Sequence, residues 1–449
     1  MARLVIVSNR VPAPRERGNL AGGLAVALRD AIRGRETMWF GWSGGTVGGD
    51  DEPPAPGITT VGQLTFATLD LPEKLFRGYY EGFSNGMLWP LLHSRMGLAE
   101  FRRTDLEAYY AVNEAFARAL APLLRPDDLV WVHDYQLIPL GAALRRAGVT
   151  ARIGFFLHVP FPASALFLAL PQADRLLRDF AAYDLVGVQV PEDADHLTES
   201  LDAIGIDAPT ARAFPIGINP KSFATTARKA ETGSDADRLR QSLGDRALII
   251  GVDRLDYSKG IPHRFRGFAQ LLKRFPEHRN HVTMIQIAPV SRGDVAQYRA
   301  LRKELDELAG RINGENAEFD WVPLRYLTRA VPRNTLAGFY RKARIGLVTP
   351  LRDGMNLVAK EYVAAQEPAD PGALVLSRFA GAAIELDGAV LVNPYDPDET
   401  AEALHHALRM PLEERQERWR RMMDAVETNT ASAWARNFVS ALEDRPARG

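Results

Sequence analysis

The sequence of 449 residues contains no cysteine. Disulfide bonds, thiolate metal sites and a cysteine nucleophile are therefore excluded. A chain without cysteine suits a reducing compartment, and we expect a cytoplasmic protein. The sequence also lacks any run near the ~20 apolar residues that a membrane span requires. The most apolar stretch, Ile153–Phe161, is interrupted by His158 and Pro160. Residues 1–8 lack the basic start and long apolar core of a signal peptide, so we expect neither a leader nor a membrane partner.

Charge of one sign is not in excess. The chain carries 55 Lys and Arg against 56 Asp and Glu, a formal net charge of −1. Such a balance provides no general attraction to nucleic acid, and we expect no nucleic-acid partner. An anionic ligand would have to be bound by a local cluster of cations.

Several common site motifs are also missing. The nine histidines form no H-E-x-x-H pattern, and no pair of acidic residues has the spacing of a metal clamp. We therefore expect no metal and no cofactor. Neither G-x-G-x-x-G nor a Walker motif occurs, which argues against a dehydrogenase or a P-loop ATPase on the same kind of fold.

Short apolar runs alternate with amphipathic segments along the whole chain, which predicts α/β structure with parallel, doubly wound sheets. The predicted strands are Leu4–Ser8, Met38–Phe40, Leu129–His133, Arg152–Phe156, Leu185–Gln189, Leu248–Val252, Thr283–Ile287, Ile345–Val348, Leu374–Leu376 and Val390–Val392. The predicted helices include Gly23–Arg33, Leu106–Leu124, Arg292–Ala309 and Asn356–Gln366.

A break in this rhythm at Pro215–Pro220 predicts a domain boundary. We expect two Rossmann-like domains, 1–218 and 219–429, with the last helix, at about 430–449, packing back on the first. Ligands of such sheets bind where strands end, so residues just after strands are the candidates for a site in a cleft between the domains.

Two motifs in the second half follow predicted strands. Arg254 and Lys259 lie five residues apart after Leu248–Val252, a pair suited to a diphosphate. Asp353 and Glu361 flank a predicted helix N-terminus after Ile345–Val348, where amides meet anions and carboxylates meet sugar hydroxyls. Each motif also has a purely structural interpretation. Arg254 and Lys259 could be solvated surface cations, and Asp353 could cap the helix while Glu361 is exposed.

Weaker candidates lie mostly in the first half. They are Arg10 after the first strand, the Gly22-Gly23 turn, Tyr80 and Trp89, His133-Asp134, His158, and Arg292 after Thr283–Ile287. A glycine pair at a helix start lets a phosphate or sugar approach the backbone. Aromatic residues and single histidines are more often structural than functional.

Taken together, these segments resemble the trehalose-6-phosphate synthase family over nearly the whole chain. The matching motifs are Val5–Arg10, Gly22-Gly23, Trp39–Gly44, Phe83–Asn85 with Leu88–Pro90, His133–Tyr135, Arg254–Gly260 and Asp353–Glu361. The resemblance implies a GT-B fold and a metal-independent retaining glycosyltransferase that moves glucose from a nucleotide-glucose, by default UDP-glucose, to glucose 6-phosphate.

The resemblance also implies residue roles. Acceptor-binding residues would be Arg10, Tyr80, Trp89, Asp134 and Arg292. Donor-binding residues would be Gly22, Gly23, Arg254, Lys259, Val331, Asp353, Asn356, Leu357, Val358, Ala359, Lys360 and Glu361. Arg254, Lys259, Asp353 and His158 would act at the reacting centre, with Asp353 the candidate if a carboxylate nucleophile were used.

Some alternatives remain open at this stage. A glucosylglycerol-phosphate synthase would use a similar phosphate clamp, and a non-catalytic sugar-phosphate sensor could keep the fold. UDP, GDP and ADP are all compatible with a base held by backbone groups, and a homo-oligomer is compatible with the sequence. The segment between Gln189 and Phe214 is shorter than in better-known members and could alter such contacts.

Overall fold

The structure, a computed structural model, describes residues 2–12, 28, 35–48, 52–290 and 296–446. It divides into two compact units, Met1–Ile216 with Ala431–Gly449, and Gly217–Thr430. Each unit is built on a parallel sheet, so the predicted α/β class is confirmed. No helix among the described residues is long and apolar enough to cross a membrane.

The first unit contains an eight-stranded sheet with the order β3-β4-β2-β1-β5-β6-β7-β8, parallel except for the β3–β4 pair. The strands are β1 Leu4–Arg10, β2 Thr37–Val47, β3 Gly57–Val61, β4 Leu64–Pro72, β5 Leu129–His133, β6 Arg152–Phe156, β7 Leu185–Val188 and β8 Arg212–Ala213. Strands β1, β5 and β6 are almost wholly buried, as expected for a sheet covered on both faces.

The helices of this unit cover the sheet. They are α1 Glu73–Phe76, a π-helix Arg77–Leu88, α2 Trp89–Leu92, α3 Arg103–Leu120, α4 Leu140–Arg146, α5 Ser164–Phe167, α6 Ala173–Phe180, α7 Pro191–Asp202 and α16 Ala431–Glu443. Helix α3 buries Leu106, Tyr109, Asn113, Phe116 and Leu120, which recur at helical spacing.

The last helix, α16, packs on the sheet of the first unit although it follows the second unit in sequence. The Phe438 ring stacks on Trp131 of β5 with centroids 4.6 Å apart. A Cβ on Gly154 or on Gly187 would lie 2.8 or 2.7 Å from the same ring. Glycine at these two strand positions therefore permits the close approach of the helix.

The second unit contains a six-stranded parallel sheet with the order β11-β10-β9-β12-β13-β14. Its strands are β9 Ala247–Val252, β10 Val282–Ile287, β11 Leu324–Leu327, β12 Ile345–Val348, β13 Ala373–Ser377 and β14 Val390–Val392. Its helices are α8 Pro220–Ala230, α9 Ser234–Leu243, α10 Ile261–Arg274, α11 Ala296–Asn316, α12 Arg333–Lys342, α13 Leu357–Ala365, α14 Pro397–Arg409 and α15 Leu412–Thr428.

Each sheet changes direction of strand order at one position. In the first unit β1 lies between β2 and β5, and in the second β9 lies between β10 and β12. Loops leave opposite sides of the sheet at such a switch point and open a crevice at the carboxyl ends of the strands. Residues that follow β1, β5, β9 and β12 are therefore placed to meet ligands.

Candidate active site

The loops after β9 and β12 bring three of the predicted residues together in the second unit. Lys259 Nζ lies 2.6 Å from Asp353 Oδ2, and Asn356 Nδ2 donates to the same oxygen at 3.0 Å. Burial alone would lower the pKa of the Lys259 ammonium, but Asp353 and Asp253 raise it, and the net pKa lies above its ordinary value. Lys259 is therefore a fixed positive charge.

This charge lies at the N-terminus of α13. Asn356 precedes the helix with φ 90°, and its Oδ1 accepts from the Ala359 amide at 3.1 Å. The first amides of a helix lack intrahelical partners, so those of Leu357 and Val358 remain available to an anion. The predicted helix start is close to the observed one, and the cap is Asn356 rather than Asp353. A non-glycine residue at positive φ is a local strain of the kind that accumulates at functional sites.

The turn that carries Lys259 is held by close backbone packing. Gly260 has φ 65°, and a Cβ on it would lie 2.2 Å from the Thr349 carbonyl oxygen after β12. The Leu351 amide donates to the Ser258 carbonyl at 2.8 Å. The two loops of the switch point are therefore fixed against each other, which sets the position of Lys259 relative to α13.

Arg254 differs from Lys259 in being exposed. It makes no hydrogen bond or ion pair with any residue in the described part of the chain. A guanidinium that is always protonated and has five free donors is well suited to bind phosphate oxygens. Among the described residues of this unit, no carboxylate pairs with Arg254.

Glu361, the last residue of the Asp353–Glu361 motif, has a partner that was not singled out in the sequence. Arg333, the first residue of α12, holds Glu361 Oε1 with Nη2 at 2.9 Å and Nε at 3.2 Å. Burial raises the pKa of the Glu361 carboxyl, and Arg333 offsets only part of that effect. Val331 lies two residues before Arg333 and lines a pocket of about 860 Å³. Because Arg333 belongs to no sequence motif, its pairing with Glu361 becomes evident only from the packing of α12 beside α13.

Lys360 points away from this group. Its side chain is fully buried and forms an ion pair with Glu385, which also accepts from Asn429 Nδ2 at 2.8 Å. Burial lowers the pKa of Lys360, and Glu385 counteracts part of the shift. The predicted contact of Lys360 with the nucleotide-sugar donor can therefore involve only its backbone.

In the first unit Arg10 ends β1 at the switch point and is exposed. Its guanidinium lies against Gly44, where an added Cβ would come within 3.0 Å of Nε and 3.1 Å of Nη2. Tyr80 is half-buried and stacks on Phe76, with ring centroids 5.3 Å apart. Glycine at position 44 thus leaves room for the Arg10 side chain.

The residues after β5 form a strained turn. Asp134 has φ 76° and ψ 166°, a combination that residues other than glycine rarely adopt. Its Oδ1 accepts from the His158 amide at 3.2 Å, so the loops after β5 and β6 are tied together. Trp89 is buried, and its ring centroid is 5.6 Å from that of Tyr135, the residue after Asp134.

A chain of hydrogen bonds orients His158. Gln189 Oε1 accepts from the Ile216 amide at 3.0 Å, which directs Gln189 Nε2 to His158 Nδ1 at 3.4 Å. His158 Nδ1 is then the acceptor, so its Nε2 carries the proton and donates to His133 Nδ1 at 3.0 Å. Gln189 was not singled out in the sequence, because a glutamine at the end of a strand carries no motif.

Burial lowers the pKa of His158 to about 3, and burial together with His158 lowers the pKa of His133. Both rings are therefore neutral near pH 7. With one nitrogen accepting from Gln189 and the other donating to His133, His158 is not placed to act as a general base. It is suited to a positioning role.

The histidine pair predicts a pH dependence of stability. The unfolded chain takes up protons at both rings below about pH 6.5, whereas folded His158 resists protonation down to about pH 3. The contribution of this pair to stability is thus fully present above pH 6.5 and falls on acidification, by up to about 1.4 kcal/mol per pH unit for each ring. We expect His158→Gln to flatten the decline in unfolding temperature between pH 6.5 and pH 4. A decline as steep as that of the wild type would contradict the assignment.

Three predicted residues, Gly22, Gly23 and Arg292, lie outside the described residues, as does the helix predicted over Gly23–Arg33 except for Leu28. The remaining predicted residues divide between the units. Arg10, Tyr80, Trp89, Asp134 and His158 belong to the first, and Arg254, Lys259, Val331, Asp353, Asn356 and the following residues to Glu361 belong to the second.

Comparisons with known proteins agree over almost the entire chain. Residues 2–444 match glycosyltransferase family 20. A curated relative from Sinorhizobium fredii, named trehalose-6-phosphate synthase, is 49% identical over 98% of both chains. A solved UDP-forming α,α-trehalose-phosphate synthase from Burkholderia xenovorans, in complex with glucose 6-phosphate, has a TM-score of 0.94 at 47% identity and covers 98% of this chain and all of that one. The E. coli protein bound with UDP-2-fluoro glucose has a TM-score of 0.94 at 43% identity over all of both chains.

Proposed function

The chain belongs to glycosyltransferase family 20 and is a glycosyltransferase of GT-B fold, and we propose that it transfers glucose from UDP-glucose to glucose 6-phosphate, giving trehalose 6-phosphate and UDP. The ligands of its relatives support both substrates, since one solved relative binds glucose 6-phosphate and another a fluorinated UDP-glucose. The resemblance stated from the sequence is thereby confirmed.

One observation supports this reaction above the others. Three groups lie around one switch point of the second unit: Lys259, the first amides of α13, and Arg254, which pairs with no carboxylate among the described residues. A diphosphate that leaves a sugar gains negative charge on its oxygens, and these groups stabilise that charge from positions set by the fold. The protein groups therefore supply the positive charge that a divalent metal supplies in other glycosyltransferases.

The proposed chemistry retains configuration at the donor carbon. The bond from the anomeric carbon to the β-phosphate oxygen breaks, and its electron pair stays with the phosphate. The anomeric hydroxyl of the acceptor then adds on the same face and passes its proton to the departing phosphate oxygen. Asp353 already bonds Lys259 and Asn356, which makes it a poor nucleophile and favours this front-face route over a covalent intermediate.

The residues of the first unit are proposed to hold the acceptor. Arg10, Tyr80 and Arg292 would bind the phosphate of glucose 6-phosphate, and Trp89 and Asp134 the sugar. Fixing the phosphate far from the reacting hydroxyl converts binding energy into orientation. In the second unit Glu361 would bind the ribose, Val331 the base and Asp353 the transferred glucose. The resemblance also implied contact of His158 with that glucose, but both of its ring nitrogens have protein partners, so its proposed role is positioning. The nucleotide-sugar donor is proposed to approach the backbone of Gly22 and Gly23.

A substrate panel tests the function directly. Glucose 6-phosphate and glycerol 3-phosphate would each be offered with UDP-, GDP- and ADP-glucose, and the products identified. We expect the highest kcat/KM with UDP-glucose and glucose 6-phosphate. A preference for glycerol 3-phosphate would indicate a glucosylglycerol-phosphate synthase, and absence of turnover with every pair would indicate a sugar-phosphate sensor. The place of action is proposed to be the cytoplasm, because both substrates are intracellular phosphates.

The acceptor assignment predicts a selective binding defect. Replacing Arg10 with alanine should raise KM for glucose 6-phosphate by about 10- to 100-fold, the value of one charge-assisted hydrogen bond to phosphate. Binding of UDP-glucose, measured by calorimetric titration, should be unchanged. Arg77→Ala, which removes an exposed arginine paired with Glu73, is the matched control. Loss of donor binding in Arg10→Ala would contradict the assignment.

A further inference from the structure

We propose that Glu277, His278 and His405 form a site for a transition-metal ion such as Zn²⁺ in the second unit, separate from the site assigned to the nucleotide sugar. The one atom that each residue offers lies within 4.8 Å of the other two. His278 Nε2 is 2.9 Å from His405 Nδ1, and Glu277 Oε1 is 3.6 Å from that same nitrogen.

These separations fit the donor set of such an ion. Zn–N and Zn–O bonds are about 2.0–2.2 Å, so two ligands of one Zn²⁺ lie about 3–3.5 Å apart. Two of the three separations, 2.9 and 3.6 Å, bracket that range, and the third is no more than 4.8 Å. Small rotations of the exposed Glu277 side chain and the half-buried His405 ring would centre an ion. Two imidazoles and a carboxylate are typical zinc ligands, with water completing the coordination.

The turn after α10 and a stacked aromatic ring orient His278 and His405 toward each other. Helix α10 ends at Arg274, and the turn Pro276–His278 follows at once, stabilised by the His278 amide donating to the Phe275 carbonyl at 3.0 Å. The ring of Phe275 stacks on His405 with centroids 4.0 Å apart and planes 13° apart. His405 thus cannot turn freely, and its Nδ1 stays directed at His278.

Without a metal the same nitrogens share one proton in an N–H···N hydrogen bond. A bound ion would take the lone pairs of both nitrogens, and the shared proton would move through solvent to the other nitrogen of its own ring, so that both imidazoles coordinate in the neutral form without net proton release. The ion would also partly neutralise the negative charge of the Glu277 carboxylate, which is about half exposed to solvent. The metal replaces one hydrogen bond with three coordinate bonds, and no oxidation or reduction is involved.

The consequence would be structural. His278 follows the end of α10, and His405 lies in α14, so the ion would link two helices that pack side by side. Helix α10 begins directly after Gly260, the residue next to Lys259. Because the cluster lies at the other end of that helix, the ion would stabilise the unit without entering the reaction.

The test is titration of the chelator-treated full chain with ZnCl₂ in a non-coordinating buffer, followed by calorimetry and by the unfolding temperature. The wild type should bind one Zn²⁺ per chain with a higher unfolding temperature. His405→Gln should weaken binding by more than about 100-fold, more than loss of an outer-shell partner costs. Glu277→Gln, an exposed position unable to disturb folding, should weaken it as well.

His406→Gln is the matched control, because it removes an exposed histidine next to His405 on the same helix. It should bind Zn²⁺ as the wild type does. Equal affinity in all four proteins, or no binding by the wild type, would overturn the proposal and leave a plain histidine hydrogen bond. Glycosyl transfer by the metal-free chain should persist in either case, so this result is independent of the proposed function.

Discussion

Arg254→Ala should lower kcat by about 10²- to 10³-fold while leaving the binding of glucose 6-phosphate unchanged. Arg254 is exposed and unpaired within the described residues, and it follows β9 at the switch point that also holds Lys259. Its positive charge can therefore act on a leaving diphosphate without first breaking a contact in the protein. Steady-state kinetics with both substrates varied, together with calorimetric titration of the acceptor, measures the two quantities separately.

Arg254 tests the role of charge more cleanly than Lys259 does. Removing Lys259 would also take the ion-pair partner from Asp353, so two effects would be mixed. Arg254→Lys should recover part of the rate, because it restores the charge without the forked donors. Arg266→Ala, which removes an exposed arginine of α10 paired with Glu304, should retain wild-type turnover. Normal kcat in Arg254→Ala would show that this side chain does not stabilise the leaving group.

Glu385→Gln should destabilise the second unit by about 3–5 kcal/mol, the cost of leaving a buried charge without its partner. Lys360 is fully buried and forms an ion pair with Glu385. Glutamine keeps an oxygen for the Asn429 amide but removes the negative charge. Differential scanning calorimetry should show a lower transition temperature, with the size of the shift read from the transition that contains this unit.

Two further variants separate charge from packing. The double variant Lys360→Met with Glu385→Leu should lose less stability than Glu385→Gln, because it buries no unpaired charge. Glu399→Gln breaks the exposed pair between Arg378 and Glu399 and should cost less than about 1 kcal/mol. If Glu385→Gln and Glu399→Gln proved equally mild, Lys360 would not depend on its partner for charge compensation.

Much of the fold follows from local patterns. The predicted bounds of Leu129–His133, Arg152–Phe156, Ile345–Val348 and Val390–Val392 are those observed, because a buried parallel strand is a short apolar run between turns. The hairpin of β3 and β4 was missed. Its first strand is exposed along its whole length, and its turn depends on Gly62 at φ 62°. An exposed edge strand has too little apolar pattern to be identified in advance.

Only part of the site could be predicted from local sequence patterns. Arg254, Lys259 and Asp353 were singled out because they follow strands, and the geometry brings Lys259 and Asp353 into contact. Arg333 and Gln189 were not singled out, since each acts through a residue distant in sequence. Lys360 was grouped with the donor-binding residues, although its side chain is buried and forms an ion pair with Glu385.

The buried parallel strands, the candidate residues that follow them and the family of the chain could be predicted from the sequence by itself, because local propensity, burial pattern and motif spacing are encoded within short segments. The partners of individual charges were decided only by the tertiary structure. Glu361 meets Arg333, Lys360 meets Glu385, and His278 meets His405 because helices distant in the chain pack side by side. Burial and distance set the strength of each pair, and neither quantity exists until the chain has folded.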